Sequence, residues 1–408
     1  MIKSKRQFPD IPHFISLIDW KLPTIFRNRA KVAKALTIED LAAIAKKKVP
    51  KVVYDYVEGS ALDEVSYQRS KDVFSRAEFT AHTLRDVSKI DPSTIIYGKK
   101  VDLPILFSPT GYTRFMHHVG EPAVAAVAEN NNLIYSLSTM GTTSPSELAQ
   151  AVPGARRWFQ LYVMQNREDS LSVIKQAKEN GFEALILTVD TPVSGIRVRD
   201  IKNGLTVPPT LTLNTFLNAL PRPGWWWNFL TKEPLNFAAL ESWNGTVAQL
   251  MDTMFDPSMT YDDLKWIRQQ WKGNLVVKGI QNVDDAVKSV SAGADAIILS
   301  NHGGRQLDRA PVPFLLLPEV RKKIGKKAEL HMDTGIMHGA DVLAAVALGA
   351  KFTYVGRAYL YGLMAGGQDG VERALEIMQT QMIRNMKLLG VSTLEELTPN
   401  HVKLLNRH

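Results

Sequence analysis

A (β/α)8 barrel of the TIM class, with a helical cap before it and a long insertion between its fourth and fifth strands, is the fold this sequence predicts. Two observations carry that reading. From about residue 101, short apolar runs alternate with longer amphipathic ones, which is the pattern of strand–helix units whose parallel strands are buried on both faces. The units number eight, enough for the sheet to close on itself.

The first four strands are expected in LPILFSPTG (103–111), LIYSLST (133–139), RWFQLYV (157–163) and ALILTVD (184–190). NLVVKGI (274–280), AIILSNHGG (296–304), ELHMDTGI (329–336) and FTYVGRA (352–358) supply the rest. Helix signals fall between them. Ser144-Pro145-Ser146-Glu147 is a capping box with proline at the first helical position. Arg167 to Asn180 carries Leu171, Val173, Ile174 and Ala177 at helical spacing before Gly181. Val283 to Gly293 and Ala340 to Gly349 repeat the design. Outside the repeat, Thr37 to Tyr56 reads as one helical stretch that caps the barrel, and residues 205–260 form an insertion far longer than an ordinary connection. The expected organisation is a tail over 1–36, the barrel domain over 37–400 and a tail over 401–408.

Composition narrows the function classes. The chain has 408 residues, 45% hydrophobic and 22% charged, and no cysteine. Thiolate catalysis, disulfides and cysteine-held metals are thereby excluded. The basic N-terminus is interrupted by Pro9, Asp10 and Pro12, so neither a signal peptide nor a spanning helix is expected there, and no apolar run approaches the roughly 18 residues a membrane span needs. A cytoplasmic protein is the expectation. The net charge of +8 comes without a basic stripe or a nucleic-acid motif, so no nucleic-acid partner is expected.

Polar or glycine-rich residues close nearly every strand, and in a barrel these carboxyl ends share one face. The sharpest group is Ser300-Asn301-His302-Gly303-Gly304-Arg305. His302 can take a proton near neutral pH, and Arg305 can grip a carboxylate by two parallel hydrogen bonds. Their spacing suits a small 2-hydroxy acid. Asp190 is the natural partner for the imidazole. Lys278, ending an apolar strand, is costly to bury unless it meets a negative group, such as the N1/C2=O edge of a reduced flavin. Asp333-Thr334-Gly335 and Gly356-Arg357 end the last two strands, where barrels commonly cradle a phosphate. Each has a bland alternative: a loop histidine beside a surface arginine, a helix cap at Asp190, a lysine reaching bulk water. A Rossmann fingerprint, a metal-binding cluster and a nucleophile elbow have no support. His117-His118 reads as a solvated loop pair rather than as ligands.

With those residues in view, the chain resembles the FMN-dependent 2-hydroxy-acid oxidases and dehydrogenases over roughly residues 37–400. The motifs are VYDYVEGSALDE (53–64), SPTG (108–111), QLY (160–162), TVDTP (188–192), VKG (277–279), SNHGGRQLD (300–308) and GRAYLYG (356–362). The WWW insertion is most similar to the L-lactate dehydrogenase branch. The resemblance implies FMN as cofactor and His302 as base, with Asp190 behind it. It implies Arg305, Arg197 and Tyr56 on the substrate carboxylate, Tyr162 on the substrate oxygen, and Lys278 facing reduced flavin. Pro109, Thr110, Gly111, Ser138, Gln160, Thr188 and Ser300 would hold the isoalloxazine and ribityl groups. It also implies a tetramer and favours lactate among 2-hydroxy acids. Three positions depart from the family pattern: Met140 stands where an aromatic is common, Thr334 replaces a glycine, and Met337-His338 stand where a phosphate arginine is usual. Arg357 would then carry more of the phosphate charge.

In the insertion, Leu213, Phe216, Leu217 and Leu220 predict a short amphipathic helix, followed by Trp225-Trp226-Trp227. Tryptophans beside lysine and arginine suit a membrane–water interface, here the cytoplasmic face of an inner membrane where a quinone could take electrons. The same stripe would equally serve to pack on the barrel or a neighbouring subunit. The readings in play are therefore a dehydrogenase passing electrons to quinone or another carrier, an oxidase or monooxygenase using O2, a flavin-barrel isomerase or peptide-modifying homologue, and a non-catalytic membrane scaffold.

Overall fold

The computed structural model describes residues 27–205, 220–232, 238 and 254–405. A short helix over Arg27–Ala33 falls within the stretch expected to be tail. The predicted helix over 37–56 is two helices, α1 (Ile38–Lys48) and α2 (Lys51–Glu58). Proline explains the break: Pro50 has no N–H to continue the ladder, and it forces Val49 into extended backbone. Thr37 and Asp40 form a reciprocal capping box at the start of α1, and three lysines occupy its last turn, the polarity the helix dipole favours.

A hairpin of Thr94–Ile96 with Lys99–Val101 turns through Tyr97 and Gly98, both at positive φ, as a two-residue type I′ turn requires. Its Ile96 and Val101 pack on the barrel interior with Leu106, Ile134, Trp158 and Phe352. The hairpin thus plugs the amino-terminal end and leaves the carboxyl end open.

The barrel consists of β1 (Ile105–Phe107), β2 (Ile134–Ser138), β3 (Arg156–Leu161), β4 (Ala184–Thr188), β5 (Asn274–Ile280), β6 (Ala296–Leu299), β7 (Glu329–Met332) and β8 (Phe352–Val355). All pairs are parallel, and β8 pairs with β1 to close the sheet. Predicted strand positions hold throughout, with the polar end of each run standing at or near its last paired residue. Register aligns those ends: Ser138 lies opposite Gln160, and Thr188 opposite Lys278.

Helices wrap the sheet: α3 (Gly120–Asn130), α4 (Pro145–Ala151), α5 (Arg167–Glu179), α6 (Pro223–Thr231) in the insertion, α7 (Tyr261–Gln270), α8 (Val283–Ser291), α9 (Pro313–Ile324), α10 (Gly339–Ala347), α11 (Arg357–Gly366) and α12 (Gln368–Leu389). The predicted capping box opens α4. The helices α11 and α12 touch backbone to backbone at Gly362 and Gly370, where a Cβ on either would lie 2.3 and 1.9 Å from the other's carbonyl oxygen. Val402–Leu404 pairs antiparallel with Ala77–Phe79, so the ordered fold runs past residue 400 rather than ending in a tail at 401. The helix expected around Leu213 to Leu217 lies outside the described residues.

Candidate active site

The carboxyl ends of the strands surround a cavity of about 170 Å³. Tyr56, Pro109, Thr110, Gly111, Ser138, Met140, Tyr162, Arg197, Lys278, His302, Arg305, Asp333, Thr334, Gly335, Gly356 and Arg357 all line it. Four other predicted residues, Asp190, Gln160, Thr188 and Ser300, stand behind that lining and hold it in place.

His302 enters just after β6 in a tight turn with successive positive φ values of 58°, 66° and 74° through Gly303 and Gly304. Glycine adopts these at no steric cost, and a Cβ at Gly304 would sit 2.8 Å from the Tyr67 nitrogen. Histidine does not, so His302 must be over-determined by its surroundings. Its N–H donates to Ser300 Oγ at 3.0 Å, and its Nδ1 meets Asp190 Oδ1 at 2.9 Å. That contact puts the Nδ1 proton toward the carboxylate and turns Nε2 to the cavity. Asp190 is buried. Burial opposes its charge, but the His302 partner and Lys278 outweigh it and hold its pKa below the ordinary carboxylate value.

Lys278 is buried as well, yet it is not left facing the cavity alone. It pairs with Asp333 at 3.1 Å and donates to Ser300 Oγ at 3.1 Å. Desolvation works against its charge, but Asp333 and Asp190 prevail and raise its pKa. The Asp333 side chain is therefore committed to Lys278 and to the Thr334 hydroxyl (2.8 Å), and the phosphate end of the loop presents Thr334 and Gly335. Beside Lys278 a polar relay runs across three strands: Ser138 Oγ donates to Gln160 Oε1 (2.9 Å), and Gln160 Nε2 donates to Thr188 Oγ1 (3.0 Å). Neutral, fully paired groups here make a polar floor that costs little desolvation.

The guanidiniums divide into two kinds. Arg197 is neutralised by Asp200 at 3.0 Å. Arg305 and Arg357 have no carboxylate partner among the described residues. Arg305 donates to the carbonyls of Tyr56 (2.6 Å) and Gly59 (3.0 Å), and Arg357 to those of Val57, Gly303 and again Gly59 (2.9, 3.0 and 2.9 Å). Tyr56 lies against Arg305 at 4.8 Å and Arg197 at 5.8 Å, and Tyr67 against Arg357 at 4.0 Å. Burial, with Arg197 as the next cause, pushes the Arg305 pKa down to about 10. Two half-buried cations that line one cavity and make no ion pair among the described residues fit two anions, a carboxylate and a phosphate. The residues present thus fit FMN: Arg357 would hold its phosphate, and Lys278 with the polar floor would face its ring system. Met337 lines the cavity where the resemblance would have an arginine, while His338 turns away to the amino end of α10 and Gln381.

Several lining residues were not predicted. Tyr67 and Phe255 support Arg357 and Tyr162, the latter through an edge-on contact at 5.2 Å. Gln306 ties the His302 turn to the Asp190 loop through the carbonyls of Asp190 and Val193. None had a local signal except Gln306, which sits inside the SNHGGRQLD motif. His117 and His118, expected to be solvated, instead stack at 4.5 Å in the wall of a second cavity.

Comparison with known proteins gives the family and the fold. The FMN-dependent dehydrogenase family matches residues 45–404. The chain is 50% identical over 402 residues to a Mycobacterium tuberculosis protein named "Putative L-lactate dehydrogenase", covering 98% of this chain and 97% of that one. It is 35% identical to an L-lactate dehydrogenase of Vibrio cholerae, covering 88% and 96%. A crystal structure of the monotopic membrane protein (S)-mandelate dehydrogenase superposes with a TM-score of 0.87 at 33% identity, covering 91% of this chain and all of that one.

Proposed function

From the premise that this chain belongs to the FMN-dependent dehydrogenase family and oxidises 2-hydroxy acids, we propose that its substrate is (S)-lactate, converted to pyruvate, and that a quinone receives the electrons. The observation that carries the assignment is the pairing, on one rim, of a carboxylate-backed imidazole with a guanidinium that makes no ion pair among the described residues. Arg305, with Arg197 and Tyr56, holds the substrate carboxylate. Tyr162, whose phenol burial keeps protonated, donates to the oxygen on C2. Nε2 of His302 takes a substrate proton, and Asp190 stabilises the imidazolium that forms. Bound FMN supplies the two-electron acceptor for this oxidation. Lys278 stabilises negative charge on the ring system, and Asp333 keeps that lysine protonated and oriented. Backbone of Pro109 to Gly111 flanks the ring, and Arg357 with the Thr334–Gly335 loop holds the phosphate.

The exposed apolar face of α6 supports a second part of the proposal, attachment to a membrane surface. Its Trp227 and Leu230 are exposed, while Trp225 packs inward. Among the described residues no helix is long and apolar enough to cross a bilayer, so the contact is peripheral. Flotation with liposomes tests it, and wild-type protein that stays at the bottom of the gradient removes it.

The deciding experiment is anaerobic mixing of the yellow holoenzyme with 2-hydroxy acids of both hands. (S)-Lactate should bleach the flavin band fastest. No bleaching by any of them overturns the reading, and faster bleaching by mandelate or glycolate reassigns the substrate. Stoichiometric peroxide from lactate in air would instead make it an oxidase.

A further inference from the structure

A second cavity, of about 350 Å³, lies against the first. Met116 lines both, so at that point a single side chain separates them. The partition continues as a run of rings: Tyr56 meets Phe115 edge-on at 6.2 Å, Phe115 meets Trp225 at 6.0 Å, and Trp225 stacks on Phe229 at 4.9 Å. Trp225 is fixed by its indole N–H, which donates to the Phe115 carbonyl at 3.0 Å. The roof is α6, whose other face carries the exposed Trp227 and Leu230. An occupant entering beneath this helix would pass from an apolar exterior directly to the wall of the flavin cavity.

The lining is rich in donors and, among the described residues, contains no carboxylate. Lys47 is exposed at its edge, and the Nε of Arg222 is buried with no hydrogen-bond partner. His117 Nδ1 accepts from the Val119 N–H at 3.4 Å, which leaves the ring proton on Nε2 as a donor. The unpaired Arg222 Nε and the His117 Nε2 donor, beside stacked aromatic faces, suit a flat conjugated ring bearing carbonyl oxygens whose negative charge grows on reduction. An inorganic phosphate or a lipid phosphate would satisfy the cations but would have no use for the aromatic wall or for contact with the first cavity.

The geometry points to this second cavity as the electron-acceptor site, taking the head group of a lipid-soluble quinone. The inference rests on the quinone-dehydrogenase reading above and gives it a location. The reaction balances without a further reagent. Oxidation of the hydroxy acid to the keto acid releases two electrons and two protons, and the quinone takes up the same number as its two carbonyls become hydroxyls. Electrons cross from the flavin over the Met116 and Phe115 partition. Protons exchange through water at the open edge near His118 and Lys47.

The test uses the full-length holoenzyme with decylubiquinone as the probe. Binding is read as quenching of tryptophan fluorescence, and transfer as anaerobic reoxidation of enzyme reduced by light rather than by substrate. The Lys47→Glu/Arg222→Glu variant changes two side chains that are not in the first cavity and not in the core. It should weaken decylubiquinone binding and slow quinone reoxidation by about tenfold or more, with bleaching by lactate within about twofold of wild type. Trp225→Phe, which keeps a ring but loses the indole bond, should slow reoxidation less and supplies the fluorescence control. Wild type that does not bind decylubiquinone, or variants that reoxidise as fast as wild type, overturns the assignment. So does a result in which only phosphate or phosphatidylglycerol vesicles respond to these substitutions. Photoreduction keeps the arms separate: if the substrate reading fails, no hydroxy acid bleaches the enzyme, while the quinone arm still reports.

Discussion

Asp190→Asn isolates the charge behind the candidate base while keeping its shape. The carboxylate is 2% exposed and accepts from His302 at 2.9 Å. Gly279 seals it from above: a Cβ there would lie 2.7 Å from the Asp190 Cγ, and the residue's φ is +104°. Water therefore cannot take over the role, and the attraction acts at an effective dielectric nearer 20 than 80. Two unit charges about 4 Å apart then interact by about 4 kcal/mol, and a charge-assisted hydrogen bond has a net worth of about 1.5–3 kcal/mol. These overlap, so about 3–4 kcal/mol of imidazolium stabilisation is at stake. That corresponds to a loss of roughly 10²- to 10³-fold in the rate of flavin reduction. Stopped-flow bleaching by (S)-lactate measures it, with the flavin spectrum and Tm as controls for folding. A variant that retains FMN and is reduced within about tenfold of the wild-type rate would refute the assignment of His302 as base and Asp190 as its stabiliser.

Arg305→Lys should cost about 2–3 kcal/mol in kcat/KM, roughly 30- to 150-fold, because an ammonium cannot grip a carboxylate with two donors while also bonding the Tyr56 and Gly59 carbonyls; steady-state assays with a soluble dye as acceptor check it, and unchanged kcat/KM would remove Arg305 from the carboxylate site. Burial depresses the His117 pKa to about 4. Its unfolded value is about 6.5, so the unfolded chain binds a proton that the fold excludes, and stability falls as pH drops from about 6.5 toward 4. Allowing for partial exposure this is about 2 kcal/mol, and His117→Gln should narrow the difference in Tm between pH 7 and pH 5. Thr334 holds a β-branched side chain at φ +74° while its hydroxyl accepts from the Gly303 N–H (3.2 Å) and donates to Asp333 (2.8 Å). Thr334→Val keeps the strain and loses both bonds, so it should cost about 2 kcal/mol. Thr334→Gly relieves strain of about 1–2 kcal/mol and should come out near neutral; equal losses of Tm in the two variants would show that the strain is not there.

The barrel was legible because its signals are local. Each apolar run ends in polar residues that stand at the strand's carboxyl end, and closure brings those ends together whatever the intervening helices contain. The split at Pro50 was also written in the chain, since proline disfavours helix at the residue before it as well as within. Other features were not local. Val402–Leu404 finds its partner more than 300 residues away in Ala77–Phe79, and neither segment alone carries enough pattern to announce a strand. The commitment of Asp333 to Lys278 joins β5 to the loop after β7. Reading Asp333 within its own DTG motif points to the phosphate, and only the closed barrel reveals the lysine opposite. Phe255 lies at the end of the insertion, where nothing in sequence fixes the direction in which a loop returns. His117 and His118 followed the ordinary reading of a polar loop pair, and the return of α6 over them is what made them a wall.

The charges of the site also explain why it should bind its ligands tightly and fold better with them. Arg197 has Asp200, Lys278 has Asp333, and His302 has Asp190. The two guanidiniums left over converge on a single carbonyl, that of Gly59. This brings two half-buried like charges together, and Arg357 is among the groups that depress the Arg305 pKa. The α2–Gly59 segment supplies dipoles in place of charges, which orients both side chains without neutralising either. An anion placed against each removes a standing repulsion as well as gaining new hydrogen bonds. With the roles proposed above, ligand binding and fold stability are linked through the same pair: a phosphate on Arg357 and a carboxylate on Arg305 would act on adjacent guanidiniums, so each ligand should bind more strongly when the other is present.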